Sequence, residues 1–392
     1  MKQKIAYFVH CFPPAIGGLE FLSGEIVKIL REAGHDVQVI TGQGQTLDSY
    51  KTFNNWVDTK NDPQYIHRLP LNYFWQRLAN KFLNKLIFIS GSFSPWYFGP
   101  ILKYNDKVLK IIKNADLIVG AGMPTKMFYD AYRMAKKFNK KLISLPTYHD
   151  VNYYNKSYPF KKVLKSANKI FLLSDYEKTM IQQNYKIENN KIALITYSPY
   201  TKKSLKNCKQ MIDVRLNKIK NNILTIGYIG QITNRKNLKL IADLSFQLTN
   251  LNFKHNILLA GIRTNSSEEV EKKFQKSKKV EIIYNFPEEN KQDLYKDIDI
   301  LINPSAEESF GITTIEAMRY ACLVFSKFSF LNMDNIPFIF NSVEDVLNII
   351  TSLNNNKWKN QLNLQVSVII NNSKENFKKN LISNINNTAS II

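Results

Sequence analysis

The sequence predicts an α/β protein with two doubly wound parallel-sheet domains, and three observations lead to that prediction. Short continuous apolar runs, typical of strands buried on both faces, alternate with stretches whose apolar residues recur at helical spacing. This alternation stops in a lysine-rich segment and begins again near Leu224. A length of 392 residues is also enough for two separate cores.

The start of the chain sets the pattern for the first domain. The apolar run Ile5–Val9 predicts a strand, and the next apolar residues, beginning with Leu19, recur as they would on one face of a helix. Gly34 supplies a helix stop before the second run, Val37–Ile40. The later strand-like runs of this domain are Leu117–Val119, Leu142–Leu145, Ile170–Leu173 and Ile192–Ile195.

The second domain repeats the strand, glycine turn and helix order, with a helix expected from about Asn237. Its strand-like runs are Leu224–Gly230, Ile257–Gly261, Val280–Ile283, Ile298–Ile302 and Leu323–Phe325. We therefore expect an N-terminal domain over 1–200, a basic linker over 201–222, a C-terminal domain over 223–366 and a closing helix or tail over 367–392.

Charge and cysteine content limit the classes of function. The net charge of +22 fits binding to an anionic membrane surface ahead of nucleic acid, but only eight of the 54 basic residues are arginine, which fits a coding bias toward lysine equally well. The three cysteines show no paired spacing, so we expect neither a disulfide framework nor a metal site. No apolar run is long enough to span a membrane and no signal-like leader is seen, so a cytoplasmic location is expected.

The stretch 305–318 carries the strongest functional signal. Glu308 and Glu316 stand on either side of Gly311, one on the loop after a predicted strand and the other about one turn into the following helix. The backbone N–H groups of a helix start bind anions, and carboxylates bind sugar hydroxyls, so the combination suits a nucleotide-sugar. An acidic helix start stabilised by the helix dipole would explain Glu308 but not Glu316, which lies too far into the helix.

Three weaker motifs follow other predicted strands. Gly17 and Gly18 would let a ligand approach the backbone, or would form a tight turn that needs no ligand. Arg235 and Lys236, before the second domain's first helix, could neutralise a diphosphate or be merely solvated. His149 follows the run Leu142–Leu145 at the edge where open sheets bind ligands, although a lone histidine is more often structural.

The segment Leu71–Ile89 is amphipathic and basic. Its apolar face carries Trp75, Leu78, Phe82, Leu86 and Ile89, and another face carries Arg77, Lys81 and Lys85. Two interpretations remain open: a helix in the interface of an anionic membrane, or an ordinary domain helix with its apolar stripe on the sheet.

Together these motifs resemble the family 4 retaining glycosyltransferases, also described as glycosyl transferases group 1. The resemblance runs through most of the chain and is most specific at Glu308 and Glu316 with their Phe310-Gly311 turn. It implies the GT-B fold, in which two Rossmann-like domains face each other across a cleft. It also implies transfer of a sugar from a nucleotide-diphosphate donor to a saccharide or glycolipid acceptor, in the synthesis of surface polysaccharide or glycoconjugates, with no metal or other cofactor.

The resemblance also assigns roles to residues. Glu316 is expected to hold the ribose hydroxyls, and Glu308 the hydroxyls of the donor sugar. His149 is expected beside the reacting sugar. The diphosphate is expected to lie against Lys236 and the backbone of Phe310, Gly311 and Ile312.

Further contacts to the phosphates are expected from Gly17 and Gly18, and from Arg235 beside Gln231. The family usually has an arginine at the position of Gln231. Two other functions stay open: a GT-B nucleotide-sugar epimerase, and a non-catalytic basic protein that binds membrane or nucleic acid. The expected location is cytoplasmic, with a candidate peripheral contact to the inner face of the cell membrane through Leu71–Ile89.

Overall fold

The computed structural model describes residues 2–15, 17–83, 99–148, 158–205, 207–221, 223–264, 266–275, 277, 279–305, 311–327 and 338–390. The chain divides into two compact units. Unit 1 contains residues 1–197 together with 376–392, and unit 2 contains residues 198–375. The expected linker 201–222 lies inside unit 2, and most of the expected closing helix lies in unit 1.

Unit 1 is built on a seven-stranded sheet whose strands pair in parallel. The strands are β1 (Lys4–Phe8), β2 (Asp36–Thr41), β3 (Ile66–Arg68), β4 (Leu117–Ala121), β5 (Lys141–Leu145), β6 (Lys169–Leu172) and β7 (Ile192–Leu194). Their order across the sheet is β3-β2-β1-β4-β5-β6-β7. Four residues of β1 are fully buried, which explains its continuous apolar sequence.

Helices connect these strands, and several begin at side-chain caps. Thr125 and Ser174 each accept a hydrogen bond from the backbone N–H three residues on, which fixes where two of the helices begin. The helices of unit 1 are α1 (Gly18–Glu32), α2 (Ser49–Thr52), α3 (Tyr73–Leu78), α4 (Asp106–Asn114), α5 (Lys126–Lys137), α6 (Tyr158–Ser166) and α7 (Asp175–Tyr185). A π-type turn, Ala79–Leu83, extends α3.

Unit 2 has a six-stranded sheet, also paired in parallel. The strands are β8 (Leu224–Ile229), β9 (His255–Gly261), β10 (Val280–Tyr284), β11 (Ile300–Asn303), β12 (Leu323–Ser326) and β13 (Phe338–Ile339), in the order β10-β9-β8-β11-β12-β13. Its helices are α8 (Lys202–Leu205), α9 (Cys208–Asn221), α10 (Lys239–Asn250), α11 (Ser267–Lys273), α12 (Lys291–Asp297), α13 (Ile312–Arg319), α14 (Val343–Ser352) and α15 (Asn355–Asn371). The final helix, α16 (Lys374–Ser390), runs back into unit 1.

Each sheet reverses its strand order once. In unit 1 the reversal lies between β1 and β4, and in unit 2 it lies between β8 and β11. Connections on the two sides of such a point run over opposite faces of the sheet, which leaves a crevice at the carboxyl ends of the two strands. The α/β, doubly wound prediction is confirmed, and the two reversals indicate where to look for sites.

The apolar segment near Trp75 does not pack as a domain helix would. Trp75, Leu78 and Phe82 are 51%, 38% and 52% exposed. The buried side of α3 instead carries Gln76, whose amide oxygen accepts a hydrogen bond from the backbone N–H of Ile101 at 2.8 Å. The interpretation that this apolar stripe lies on the sheet is therefore wrong for the part of the segment that the structure describes. Leu86 and Ile89 lie outside that part.

A buried ion pair fastens α9 to the sheet of unit 2. Arg215 on α9 donates to the Asp299 carboxylate at 2.7 Å, and both side chains are at most 4% exposed. The same guanidinium donates to the carbonyl oxygens of Tyr295 and Tyr320, and Asp299 also accepts from the backbone N–H of Thr225. These contacts satisfy both buried charges, so the lysine-rich segment forms an integral helix of unit 2.

Replacing Arg215 should destabilise unit 2 strongly. Arg215→Met leaves the Asp299 carboxylate buried without its main partner, and we expect a loss of about 3–5 kcal/mol in the free energy of unfolding, measured by urea denaturation. The control is Lys218→Met, because Lys218 contacts the same carboxylate at 3.4 Å from a 30% exposed position. It should cost about 1 kcal/mol or less. Equal losses in the two variants would contradict the assignment.

Candidate functional site

The crevice of unit 2 lies between the loops that follow β8 and β11. After β8 the chain makes a 3₁₀ turn over Asn234–Lys236, and Asn237 takes a left-handed conformation that ends it. The turn places the Lys236 ammonium 3.5 Å from the Ser305 hydroxyl, just past the end of β11. Ser305 is 1% exposed. One cation is thus positioned across the point where the strand order reverses.

Glu316 lies on α13, the helix that follows β11. Gly311 precedes this helix with a φ of 67°, a left-handed conformation that favours glycine. The Glu316 side chain is 11% exposed, and its two oxygens lie 3.0 and 2.8 Å from the Lys291 ammonium. The Tyr295 hydroxyl donates to the second oxygen at 2.7 Å. Burial, with the Glu316 carboxylate beside it, holds the pKa of Tyr295 well above its ordinary value, so the hydroxyl remains a donor.

The crevice of unit 1 holds a second buried pair. His10, just past β1, lies with Nε2 3.3 Å from the Glu20 carboxylate on α1, and both side chains are at most 10% exposed. His10 Nδ1 is buried with no hydrogen-bond partner among the residues that the structure describes. This pair is not among the predicted site residues, although it shows the pattern that predicts Glu308 and Glu316: an ionisable residue after a strand and another early in the next helix.

The Glu20 side chain occupies the space that a side chain at position 17 would need. A Cβ atom at Gly17 would lie 2.1 Å from a Glu20 carboxylate oxygen, so a larger residue here would require the Glu20 side chain to move from its place beside His10. Gly18 opens α1 as its first residue. The packing accounts for the first glycine without a ligand, and the predicted contact of both glycines with phosphates stays a prediction.

Cys11 completes a trio of donor atoms with His10 and Glu20, all within 4.8 Å of one another. Its thiol donates to the Tyr50 hydroxyl at 3.7 Å, and burial raises the pKa of that thiol far above its ordinary value. Tyr50 in turn donates to the carbonyl oxygen of His10 at 2.7 Å. A metal ion would have to displace the thiol proton and break this hydrogen-bond chain. The expectation of no metal stays a prediction.

The chain is similar in fold to solved structures that include a glycosyltransferase. A glycosyltransferase from Rickettsia africae ESF-5 is 18% identical, with 100% of both chains covered and a TM-score of 0.64. HepE from Anabaena, in complex with UDP and glucose, is 13% identical, with 98% of this chain and 99% of that chain covered and a TM-score of 0.63. Sucrose-phosphate synthase from Thermosynechococcus elongatus is 14% identical, with 97% and 94% covered and a TM-score of 0.56. The fold is GT-B.

The family comparison agrees with this GT-B fold over part of the chain. Residues 210–329 match the model of glycosyl transferases group 1. This segment contains Lys236, Glu316 and their loops. A search of curated protein sequences finds no match. The resemblance to group 1 glycosyltransferases is confirmed over residues 210–329, and membership of family 4 stays a prediction.

Some of the predicted GT-B site residues lie outside the described residues. These are His149, Glu308 and Phe310. Among the others, Gln231 lies on the loop after β8, where its carbonyl oxygen accepts from the Tyr228 hydroxyl at 3.1 Å. Arg235 is exposed on the 3₁₀ turn. Ile312 begins α13. The roles of all these residues stay predictions.

Unit 1 also contains a pocket of about 720 Å³ beside α1, reaching to the residues before β3. Its lining combines Pro13 and Tyr65 with the charged side chains of Lys28, Arg31 and Asp62. The Arg31 guanidinium lies 4.0 Å from the centre of the Tyr65 ring. The Arg31 guanidinium therefore covers one face of Tyr65, and the charged groups of both signs in the lining are suited to a polar ligand.

Glu177 joins the carboxyl ends of β5 and β6. It is fully buried on α7, and its two oxygens accept from the backbone N–H groups of Tyr148 and Leu173, each at 2.7 Å. Tyr148 is further held by Asn184, which donates to its hydroxyl at 2.8 Å. The carboxylate thereby fixes the backbone of the residue before His149. Burial raises the pKa of Glu177 from 4.5 to about 7, although the two backbone hydrogen bonds partly oppose this.

This raised pKa makes stability depend on pH in a defined direction. The fold favours the protonated carboxyl, so its stabilising contribution is complete below pH 4.5 and is lost as the pH rises to about 7. Relative to Glu177→Gln, the free energy of unfolding of the wild type should fall by about 3 kcal/mol as the pH rises from 4.5 to about 7, and should then stay nearly constant. Urea denaturation from pH 5 to pH 8 measures the difference. Ser174→Ala, which removes the cap of α7 but no titrating group, should differ from the wild type by a constant amount. A constant difference for Glu177→Gln would show that its pKa is not raised.

Proposed function

We propose that the chain is a retaining glycosyltransferase that moves a sugar from a nucleotide-diphosphate donor to a saccharide or glycolipid acceptor during synthesis of surface polysaccharide or glycoconjugates. One observation supports this most directly. Lys236 and Glu316 both belong to the loops and helix at the strand reversal of unit 2, inside the segment that matches glycosyl transferases group 1. A cation and a carboxylate at such a crevice complement a phosphate and a ribose.

Unit 2 is the donor side of the proposed enzyme. Lys236 contacts the diphosphate, together with Arg235 and the backbone of 310–312, and Glu316 contacts the ribose. Glu308 holds hydroxyls of the donor sugar. The complex of the similar HepE with UDP and glucose supports a nucleotide-sugar as the donor class. With Gln231 at the position usually occupied by arginine, Lys236 and Arg235 supply the positive charge on this loop.

The proposed reaction breaks the bond between the sugar's anomeric carbon and the diphosphate. Negative charge develops on the leaving phosphate while the sugar becomes oxocarbenium-like, so preorganised donors at the phosphate lower the barrier most. The acceptor hydroxyl attacks from the same face, its proton passes to the departing diphosphate, and the anomeric configuration is retained. His149 acts beside the reacting sugar, and no metal is required in this scheme.

A nucleotide screen tests the donor site directly. We expect one of UDP, GDP and ADP, and one of their sugar conjugates, to raise the melting temperature of the protein. Glu316→Gln and Lys236→Met should each weaken that nucleotide diphosphate about tenfold. Of these two variants, Lys236→Met should leave the affinity for the free nucleoside unchanged, because it removes only a phosphate contact. Glu316→Gln should weaken the nucleoside as well. Lys239→Met, an exposed lysine on α10, is the matched control and should bind as the wild type does.

The outcome also separates the proposed enzyme from the other classes. Conversion of the donor sugar to an epimer without acceptor would indicate an epimerase. A protein that responds to none of the nucleotides or donors would not be a glycosyltransferase.

The acceptor side is expected to include a membrane contact. The aromatic patch consists of Tyr73, Phe74, Trp75, Leu78 and Phe82, each between 38% and 71% exposed. Arg77 and Lys81 lie on the same short helix and its π-type extension. Exposed aromatic groups beside cations are suited to the headgroup region of an anionic bilayer. In the part of the chain that the structure describes, no helix is long and apolar enough to cross a membrane. On the basis of the exposed side chains and cations of this patch, the proposed function includes a peripheral contact at the inner face of the cell membrane.

Removing two aromatic side chains should release the protein from membranes. We expect the wild type to cosediment with vesicles of equal parts phosphatidylcholine and phosphatidylglycerol. Phe74→Ser combined with Trp75→Ser should bind at least about tenfold more weakly, because both side chains lose apolar burial. Phe246→Ser is the control, since Phe246 is 53% exposed but lies on unit 2. Equal binding of the double variant and the wild type would exclude the aromatic patch as the contact.

A further inference from the structure

The carboxylate of Glu316 is held by two side chains of one helix. Lys291 and Tyr295 stand four residues apart on α12, so they lie on the same face of that helix. The ammonium of Lys291 lies 3.0 Å from one Glu316 oxygen and 2.8 Å from the other, and the Tyr295 hydroxyl donates at 2.7 Å. The resemblance to known enzymes gives a role to Glu316 but none to Lys291 or Tyr295.

The Lys291–Glu316 pair is less deeply buried than the Arg215–Asp299 pair described above. The Lys291 and Glu316 side chains are 17% and 11% exposed, whereas those of Arg215 and Asp299 are 4% and 1% exposed. The latter pair is sealed into the protein and fastens α9. The former pair keeps some exposure, and Lys291 begins the helix after β10 while Glu316 lies early in the helix after β11, so both residues stand toward the carboxyl edge of the sheet.

Helix stability does not explain a lysine at this position. Lys291 is the first residue of α12, and the positive end of a helix disfavours a cation. Its contact with Glu316 compensates for that unfavourable placement.

A carboxylate beside an ammonium matches a vicinal diol. One hydroxyl can donate to the carboxylate while the oxygen of the neighbouring hydroxyl accepts from the ammonium. Lys291 contacts both oxygens of Glu316, so it can exchange one of these contacts for a hydroxyl and keep the other. The buried Tyr295 hydroxyl holds the carboxylate in place during the exchange.

We propose that Lys291 and Glu316 together bind the 2′,3′-diol of the donor's ribose. Lys291 donates to the 2′-oxygen as a second ribose contact, Glu316 accepts from the 3′-hydroxyl, and Tyr295 positions the carboxylate. This deepens the proposed function and rests on it. The consequence is selection of ribonucleotides over deoxyribonucleotides, because loss of one hydroxyl leaves one charged group without its ligand partner.

The test compares ribonucleotides with their 2′-deoxy counterparts. Isothermal titration of the wild type with UDP, GDP and ADP identifies the preferred base, and we expect its ribose form to bind at least about tenfold more tightly than its 2′-deoxy form. Lys291→Met should weaken the ribonucleotide about tenfold, change the deoxynucleotide much less, and so reduce the discrimination. Lys291→Arg should restore part of it. Tyr295→Phe should weaken both forms.

Two further variants separate this inference from the proposed function. Lys296→Met is the matched control, because Lys296 lies on the same helix, is 55% exposed and binds Asp293 at 2.7 Å. It should discriminate as the wild type does. Lys236→Met should weaken the ribose and deoxyribose forms equally, since it loses a phosphate contact. If Lys291→Met and Lys291→Gln bind the nucleotide and prefer the ribose form as strongly as the wild type does, the role of Lys291 is overturned but the proposed function is not. A wild type that binds no nucleotide would overturn the proposed function and this inference together.

Discussion

The reversal of strand order in each parallel sheet is the constraint on which the rest of the structure depends. Helical connections on the two sides of the reversal run over opposite faces, so the carboxyl ends of the two central strands are left without a covering connection. Charged side chains can be placed there without disturbing the core. In unit 2 this edge receives Lys236 from one loop and Glu316 from the helix after the other. In unit 1 the same geometry receives His10 and Glu20.

Two ion pairs in unit 2 differ in how far their charges are shielded from solvent. Where an ion pair fastens the fold, as at Arg215 and Asp299, backbone carbonyl and N–H groups satisfy the remaining hydrogen-bonding capacity and the pair is sealed. Where a pair stands at a crevice, as at Lys291 and Glu316, part of each side chain remains in contact with solvent. The first arrangement gives stability, and the second leaves charges that a ligand can engage.

Much of the fold could be predicted because buried parallel strands are continuous apolar runs. The prediction missed β3 and β13, since strands of three and two residues have too little sequence to show a pattern. Helical periodicity showed which residues of Leu71–Ile89 share a face, but it cannot show whether that face meets a sheet or solvent. Glu316 was identified because the carboxylate follows a strand and a glycine. Lys291 was not, since it lies 25 residues away in sequence and only the packing of α12 brings it near. The same limit applies to Gly17, because only the folded structure shows that the Glu20 side chain packs against it.

The path of the chain between the two units has a consequence for how the protein could be divided. Unit 2 is an insertion into unit 1, and its ends meet: the backbone N–H of Lys374 donates to the carbonyl oxygen of Tyr200 at 2.7 Å, and that of Lys202 donates to the Glu375 carboxylate at 3.1 Å. On the unit 1 side, the rings of Tyr197 and Phe377 pack edge to face with centroids 5.2 Å apart. A continuous stretch with adjoining ends can be excised or transplanted as one cassette. Unit 1 lacks this freedom, because α16 supplies part of it and any cut before that helix removes a piece of its core.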